Sequence, residues 1–194
     1  MLKEIIGLGL IAYLLGAIPF GLLVCKLKGH DLRKTGSGNI GATNVYRGLG
    51  FKYAFLVFCL DSFKGYLPVY LSFFLSDQPY VHISIGFISI IGHSLTIFAG
   101  FKGGKGAATG LGVLLALAPD VFMILFVLAI LLIFGTKYVS VATISCSVLA
   151  PILLLILDYP EVYVFFIGII CLFIIWRHKA NIERLLKGQE NKIR

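Results

Sequence analysis

The sequence is short of charged residues. Only 13% of its 194 residues are charged, against ~25% in an average soluble domain. Acidic residues are the scarcer kind, with 9 Asp and Glu against 17 Lys and Arg. Apolar residues make up 59% of the chain, and the mean hydropathy is +0.97. This composition excludes a soluble globular domain, a disordered chain and a coiled coil, and it predicts an all-α polytopic membrane protein with a single domain over residues 1–194.

Paired cysteines and metal-ligand clusters are also lacking. The 4 cysteines lie far apart and none forms a CxxC motif, so we expect neither a disulfide framework nor a zinc site. No other metal and no cofactor is expected. Residues 5–24 are apolar without a small-residue cleavage site, which predicts a retained span rather than a signal peptide. The formal charge of +8 indicates a positive-inside bias with an anionic substrate added, and no nucleic-acid partner is expected.

The distribution of basic residues predicts the topology. Apolar runs cover about 4–24, 53–75, 81–101, 106–118, 120–135, 138–157 and 161–176. The fourth and fifth runs could form one long span, broken only at Pro119. Of the 17 basic residues, 15 fall in four segments, namely 26–52, 102–105, Lys137 and 177–194. A break at Pro119 places all four segments in the cytoplasm, so we predict seven transmembrane helices with the N-terminus outside and the C-terminus inside.

The first polar motif is GSGNIGATNVYR at 36–47. It contains a GxGxxG spacing, but no strand precedes it, so a dinucleotide site is excluded. Ser37 or Asn39 is expected to cap a short helix that begins near Ile40, and the N-terminus of that helix would attract an anion. The helix would bring three polar side chains together: Thr43, Asn44 and Arg47. The alternative is a Gly-Ser turn and a surface helix whose arginine follows the positive-inside rule.

The second motif combines GHS at 92–94 with FKGGKGAATG at 101–110. It is not a Walker A loop, because Ala99 and Gly106 stand where that loop needs Gly and Ser or Thr. Two lysines among glycines at the start of a helix nevertheless offer N–H donors and mobile charges for phosphate. The alternatives are a basic loop with turn glycines and, for His93, a packed core histidine.

The third motif is RHKANIER at 177–184. It could be a stop-transfer cluster that continues as an amphipathic surface helix. His178 and Glu183 are spaced as in the HxxxxD acyltransferase motif, but five residues on a helix put them about 140° apart. We therefore do not expect that dyad here.

Two smaller polar groups complete the set. Ser140 belongs to a weaker cytoplasmic cluster that begins at Lys137. Asp61 and Lys64 lie i,i+3 inside the second span and can pair, either for function or as a structural bridge. On the predicted topology the glycine-rich motifs meet at one membrane surface. They predict a site for phosphorylated substrates that works by charge stabilisation rather than by a metal.

The motifs GSGNIGATN at 36–44, GHS at 92–94, FKGGKGAAT at 101–109 and RHKANI at 177–182 resemble those of the bacterial acyl-phosphate:glycerol-3-phosphate acyltransferases of the PlsY type. The resemblance covers essentially the whole chain. It implies acyl transfer from acyl phosphate to the sn-1 hydroxyl of glycerol 3-phosphate, giving lysophosphatidic acid and phosphate in the first step of phospholipid synthesis. It also implies a multi-pass protein of the bacterial inner membrane with a cytoplasmic active site, in contact with membrane lipid and without an obligatory protein partner.

The motifs and the resemblance together give the candidate site residues. Five are expected to be catalytic: Ser37, Arg47, Lys105, His178 and Asn181. Substrate contacts are expected for Gly38, Asn39, Thr43, Asn44, His93, Lys102, Gly103, Gly104, Gly106, Thr109, Ser140 and Arg177. The resemblance implies direct attack by the hydroxyl, with the substrate phosphate as proton acceptor and with His178 orienting glycerol 3-phosphate.

Two functions of other classes stay open at this point. A small transporter of phosphorylated solutes would use Asp61 and Lys64 in its pathway, but it would need polar residues in several spans and the sequence offers only this pair. A non-catalytic membrane scaffold would leave the glycine-rich loops unexplained.

Overall fold

The computed structural model describes residues 2–193, and within that range its regular structure is helical, without strands. This confirms the all-α prediction. The helices are α1 (Leu2–Ala17), α2 (Phe20–Leu27), α3 (Ala42–Leu49), α4 (Phe51–Ser72), α5 (Pro79–Ser94), α6 (Ala107–Leu117), α7 (Pro119–Thr136), α8 (Val139–Ile156), α9 (Glu161–Arg177) and α10 (Lys179–Leu186). Short 3₁₀ turns lie at Leu32–Lys34 and Ile97–Ala99. The chain forms two compact units, Met1–Leu117 with α1 to α6 and Ala118–Arg194 with α7 to α10.

Four helices are long and apolar enough to cross a membrane: α4, α5 with its 3₁₀ extension to Ala99, α7 and α8. The number rises to six if two bent pairs each count as one span, α1 with α2 (40°) and α9 with α10 (56°). Helix α6 has only 11 residues, which rise ~16 Å against a hydrocarbon core of ~30 Å. The structure therefore has four to six candidate spans, and the predicted count of seven is not confirmed.

The apolar run at residues 4–24, predicted as one retained span, is broken near Pro19 into α1 and α2. Proline lacks the N–H that would continue the helix, and α1 ends at Ala17. The carbonyls at the break are bonded inside the unit. Lys64 Nζ donates to the Ile18 carbonyl at 2.8 Å, and the Thr96 hydroxyl donates to the Ala17 carbonyl. A break inside an apolar unit is stable because its backbone groups find these partners.

Glycines allow the helices of the first unit to pack closely. A Cβ at Gly112 of α6 would overlap the Ser62 carbonyl of α4, and a Cβ at Gly65 of α4 would overlap the Thr109 carbonyl of α6. Helices that approach this closely gain van der Waals contact, which is the main attraction between helices in lipid. The result fixes α6 against α4 and so fixes where the loop before α6 ends.

The second unit is built from α7, α8 and α9 in sequence, with α8 packed between the other two. Helix α7 begins at Pro119, directly after Ala118, so a helix boundary lies where the sequence predicts the break. After α10 the chain returns toward the start of α8, where the Ile193 N–H donates to the Lys137 carbonyl at 2.9 Å.

Candidate active site

Asn44 holds the first motif loop in place. Its side chain is buried, with 1% exposure. The Asn44 Oδ1 accepts from the Ser37 N–H at 3.1 Å, while Nδ2 donates to the carbonyls of Leu32 and Thr35 at 3.1 and 2.9 Å. Both amide protons and the carbonyl oxygen are thus engaged with the loop. Gly36 has φ of 48°, a left-handed conformation that glycine adopts without strain.

Helix α3 presents an N-terminus that no side chain caps. The sequence predicts a cap by Ser37 or Asn39 near Ile40, but this is wrong: the helix begins at Ala42 with Gly41 as N-cap. Asn39 Oδ1 instead accepts from the Gly41 N–H at 2.9 Å, outside the helix. Polar groups of the motif do lie on α3, since it includes Thr43, Asn44 and Arg47. The first-turn N–H groups of such a helix favour an anion.

The second motif loop is bonded to the end of α5. The Gly103 N–H donates to the Ser94 carbonyl at 3.1 Å, and the Gly104 N–H donates to the His93 carbonyl at 3.2 Å. These two N–H groups are therefore bonded to carbonyls at the end of α5. Lys102 is exposed and Lys105 is half-buried.

The start of α6 follows the two lysines, as the sequence predicts. Gly106 has φ of 87°, and α6 begins at the next residue, Ala107. Thr109 is fully buried in the first turns of α6, where its backbone lies against Gly65 of α4.

Arg33, which lies outside the motifs, joins the two motif loops. Its guanidinium donates to the carbonyls of Ala99 and Lys102 at 3.4 and 3.2 Å. The Arg33 carbonyl in turn lies 3.1 Å from where a Cβ of Gly38 would stand. The first and second motifs are therefore neighbours in the folded first unit. No signal in the sequence separates Arg33 from the other basic residues of the 26–52 segment.

Asp61 and Lys64 form a buried ion pair, as their i,i+3 spacing predicts. Lys64 Nζ lies 2.7 Å from Asp61 Oδ1, and both side chains are at most 3% exposed. His93, at the end of α5, is also buried and places Nδ1 at 3.7 Å from the same carboxylate oxygen. Of these three residues, His93 is the one that contacts the second motif loop.

In the second unit, the Glu190 carboxylate accepts hydrogen bonds from polar side chains of two helices, α8 and α10. Its Oε1 accepts from the Ser140 hydroxyl at 3.0 Å and from Asn181 Nδ2 at 2.6 Å, and its Oε2 accepts from Arg184 Nε at 2.7 Å. Burial alone would raise the pKa of Glu190, but the hydrogen bonds from Asn181, Arg184 and Ser140 outweigh it, and the pKa is lowered. Ser140 and Asn181 are thus brought together by Glu190, which lies outside the motifs.

His178 lies at the bend between α9 and α10 and is buried. Its Nδ1 is 2.8 Å from the Ile174 carbonyl. Because a carbonyl only accepts, Nδ1 carries a proton, and in the neutral ring Nε2 holds the lone pair. Arg177 is half-buried as the last residue of α9.

The predicted site residues divide between the two units. The first unit holds those of the first and second motifs, and the second unit holds Ser140, Arg177, His178 and Asn181. Among residues 2–193 there is no group of three or more His, Cys, Asp or Glu that could hold a metal ion.

Comparison with known proteins assigns a family to this chain. A sequence profile described as glycerol-3-phosphate acyltransferase matches residues 6–188. A relative of that name from Aquifex aeolicus is 45% identical over 182 residues, which cover 93% of this chain and 95% of the relative. Another from Fusobacterium nucleatum is 42% identical and covers 95% of both chains.

Two solved structures share the fold. One is a crystal structure of PlsY (YgiH), an integral membrane glycerol 3-phosphate acyltransferase, in its glycerol 3-phosphate form, with a TM-score of 0.95 and 43% identity. The match covers 98% of this chain and 96% of that one. The lysophosphatidic acid form matches with a TM-score of 0.92 and 42% identity, over the same shares of each chain.

Proposed function

The chain belongs to the glycerol-3-phosphate acyltransferase family, and from this premise we propose that it transfers a fatty acyl group from acyl phosphate to the sn-1 hydroxyl of glycerol 3-phosphate. The hydroxyl oxygen bonds to the acyl carbon, and the bond from that carbon to the phosphate oxygen breaks. The hydroxyl proton goes to the leaving phosphate. The products are lysophosphatidic acid and inorganic phosphate, so no redox partner is needed.

One observation carries the proposal beyond the family. Two glycine-rich loops with four nearby cations, Arg33, Arg47, Lys102 and Lys105, are joined by the Arg33 hydrogen bonds to the Ala99 and Lys102 carbonyls. An uncapped helix N-terminus at Ala42 lies in the same motif. Cations and helix N-termini both favour phosphate, and both substrates of the proposed reaction carry one.

The first unit is proposed to bind the anionic ends of the substrates. Arg47 and Lys105 bind them directly, and Lys102 assists from the exposed part of its loop. Ser37 holds a phosphate with its neighbours Gly38 and Asn39. Asn44 acts as a positioning residue, because its amide is engaged with the backbone of the first loop.

The remaining residues of the first unit have supporting roles. The glycines of the second motif, Gly103, Gly104 and Gly106, let the backbone turn closely around a phosphate. Thr43 and His93 complete the polar lining, and Thr109 fixes α6 behind the loop.

The second unit is assigned the glycerol 3-phosphate. His178 and Asn181 orient the acceptor, with Ser140 and Arg177 supporting them. Glu190 fixes the Asn181 amide and the Ser140 hydroxyl in one arrangement. A positioned donor set of this kind accelerates a reaction by orientation, an effect worth up to ~7–11 kcal/mol.

Acyl phosphate suits this site because it is already activated. Phosphate is a good leaving group, so binding two phosphates and aligning one hydroxyl supply most of the rate without a protein nucleophile. The apolar helices bind the acyl chain, at ~0.8 kcal/mol per buried CH₂. No cofactor and no obligatory protein partner is required.

We further assign the topology from the basic clusters: seven spans in the bacterial inner membrane, with the N-terminus outside and the active site in the cytoplasm. The family match runs through both units, which supports one domain over 1–194. A cysteine placed at Asp120 is expected to react with an impermeant thiol reagent from outside, and one placed at Lys105 only from inside. Labelling of position 120 solely from the cytoplasm would contradict the seven-span topology.

The reaction is tested with the purified protein, acyl phosphate and radiolabelled glycerol 3-phosphate. We expect one phosphate for each lysophosphatidic acid formed, with the acyl group on the sn-1 oxygen. Phosphate release without lysophosphatidic acid would identify a hydrolase, and acylation of the sn-2 oxygen alone would refute the assigned position. Movement of unmodified glycerol 3-phosphate across sealed vesicles without product would favour a transporter.

A further inference from the structure

Lys64, one half of the buried ion pair in α4, has a structural role. Its Nζ donates to the Ile18 carbonyl, at the break before Pro19. The Lys64 carbonyl accepts from the Ser89 hydroxyl at 2.7 Å, which ties α4 to α5. Lys64 therefore holds the interrupted first helix in place, and its buried charge requires a counter-ion.

Asp61 supplies that counter-ion but also faces a second group. Its Oδ1 lies 3.7 Å from Nδ1 of His93 as well as 2.7 Å from Lys64 Nζ. The distance to His93 is too long for a hydrogen bond, so the carboxylate is a buried neighbour of the imidazole rather than its hydrogen-bond partner. The Nδ1 edge of the His93 ring therefore faces the Asp61 carboxylate of α4.

The other side of the His93 ring faces the second motif loop. A Cβ built at Gly104 would overlap Nε2 of His93, and one built at Gly103 would overlap the His93 carbonyl. The N–H groups of the same two glycines donate to the carbonyls of His93 and Ser94. The loop thus rests on His93 through both its ring and its backbone, and only glycine fits there.

We propose that Asp61 is a positioning residue, which holds the His93 imidazole beneath Gly104 and so sets the conformation of the loop that carries Lys102 and Lys105. This rests on the proposed function, in which Lys105 binds a substrate phosphate. The chain of contacts runs from the α4 carboxylate to the α5 imidazole, then to the Gly103–Gly104 backbone, and ends at the next residue, Lys105. All of it lies in the first unit.

The first test uses kinetics and a double-mutant cycle. His93→Gln is expected to lower kcat/KM for acyl phosphate about tenfold, a typical size for residues of one network. In a Lys105→Ala background, His93→Gln is expected to lower kcat/KM for acyl phosphate less than about twofold. The lysine side chain that His93 helps to position is then already absent. A loss of equal size in both backgrounds would show that His93 acts independently of Lys105 and would overturn the proposal.

The matched control is His82→Gln. His82 is the other buried histidine of α5, bonded to Ser72 at 2.8 Å and stacked on Phe73 at 4.0 Å between ring centres. It lies three turns from the loop, so this variant is expected to keep kcat and both KM values even if its melting temperature falls. Equal kinetic losses in the two variants would mean that His93 supports only the packing of α5, and would refute its positioning role.

The second test addresses Asp61 and does not depend on activity. Asp61→Asn alone leaves Lys64 without its counter-ion, so the variant is Asp61→Asn/Lys64→Gln, which removes both charges and keeps a donor for Ile18. We expect the Gly103 and Gly104 amides to exchange hydrogen at least about tenfold faster than in the wild type, while amides in the middle of α5 are unchanged.

These outcomes separate the positioning claim from the proposed function. Unchanged exchange at Gly103 and Gly104 in the folded variant would overturn the claim, whatever the activity. Wild-type activity of Lys105→Ala would instead refute the role of Lys105 in the proposed function, and faster exchange would then still support Asp61 as the residue that orders the loop.

Discussion

Arg47 and Lys105 are the two residues on which the proposed phosphate binding depends most. A hydrogen bond to a charged group contributes ~1.5–3 kcal/mol, so Arg47→Ala and Lys105→Ala are each expected to lower kcat/KM by about 10- to 100-fold or more. Circular dichroism and the melting temperature in detergent should stay close to those of the wild type, because both residues lie on half-buried loop or helix surface. Acyl transfer assays on the purified variants measure the effect.

A suitable control is Lys34→Ala. Lys34 belongs to the same basic segment as Arg47, but its side chain is 86% exposed and its ion pair with Asp31 at 3.5 Å is a surface pair. Such pairs contribute little, so activity should be unchanged. Near wild-type kcat/KM in both Arg47→Ala and Lys105→Ala would place the phosphates elsewhere.

His178 distinguishes orientation of the acceptor from general base catalysis. With Nδ1 donating to the Ile174 carbonyl, the ring can meet the glycerol hydroxyl only through Nε2. We expect orientation, because the substrate phosphate can take the proton. His178→Gln should then keep turnover, with a raised KM for glycerol 3-phosphate and an unchanged pH profile.

A general base role for His178 would give different kinetics. General base catalysis contributes ~10²–10⁴-fold in rate. If His178→Gln loses kcat by about three orders of magnitude at unchanged KM, His178 is the base, and the phosphate-assisted mechanism is wrong.

At the scale of helices and loops, Glu190 connects α8, α10 and the returning tail. Glu190→Gln keeps the shape but loses the charge that faces Arg184, so we expect a loss of ~1.5–3 kcal/mol in unfolding free energy. Because the folded pKa is lowered, the contribution of Glu190 is fully present above the unfolded value of ~4.3 and is lost as the pH falls through the folded value. Thermal unfolding of the wild type and of Glu190→Gln, measured from pH 7 downward, gives both the loss of stability and its pH dependence.

The control for this element is Glu183→Gln on the exposed side of α10. It is expected to leave the melting temperature at pH 7 unchanged. The wild type should lose stability below about pH 4.3, and Glu190→Gln should lose less over the same interval. Equal pH dependence in the wild type and Glu190→Gln would mean that another carboxyl group controls the stability of this element.

The elements that sequence predicts best are those with a local cause. Pro119 predicts the boundary between α6 and α7, because proline stops a helix at a fixed position. Pro19 breaks the first apolar run in the same way, yet the break was not predicted, since its stability depends on Lys64 and Thr96, which are distant in sequence. The wrong cap of α3 has a similar origin, because the Asn39 oxygen bonds Gly41 before the helix begins.

The candidate site also has a part that depends on local sequence and a part that depends on contacts between distant segments. The glycine-rich motifs and the lysines are visible in the sequence because they are contiguous. Arg33 and Glu190 are not, since each acts through contacts with residues of another segment. A carboxylate in a polar tail gives no sign that it will be buried with three partners.

On the scale of the whole molecule, the match to the glycerol-3-phosphate acyltransferase family at residues 6–188 includes both compact units, so the proposed function belongs to the chain and not to one half of it. The buried Asp61–Lys64 pair does not support a transport pathway, because Lys64 is bonded to the backbone at a helix break. The apolar helices and the basic loops instead fit an enzyme that receives a lipid chain from the membrane and phosphates from the aqueous side.

The choice of acyl donor tests this account most directly. The motif loops are short and basic, which suits a phosphate group and offers nothing built for the nucleotide of acyl-CoA. Purified protein in lipid vesicles is given glycerol 3-phosphate with either acyl phosphate or acyl-CoA of the same chain length, and lysophosphatidic acid is measured. We predict product with acyl phosphate and none with acyl-CoA; turnover with acyl-CoA as the sole donor at a comparable rate would contradict the proposed reaction.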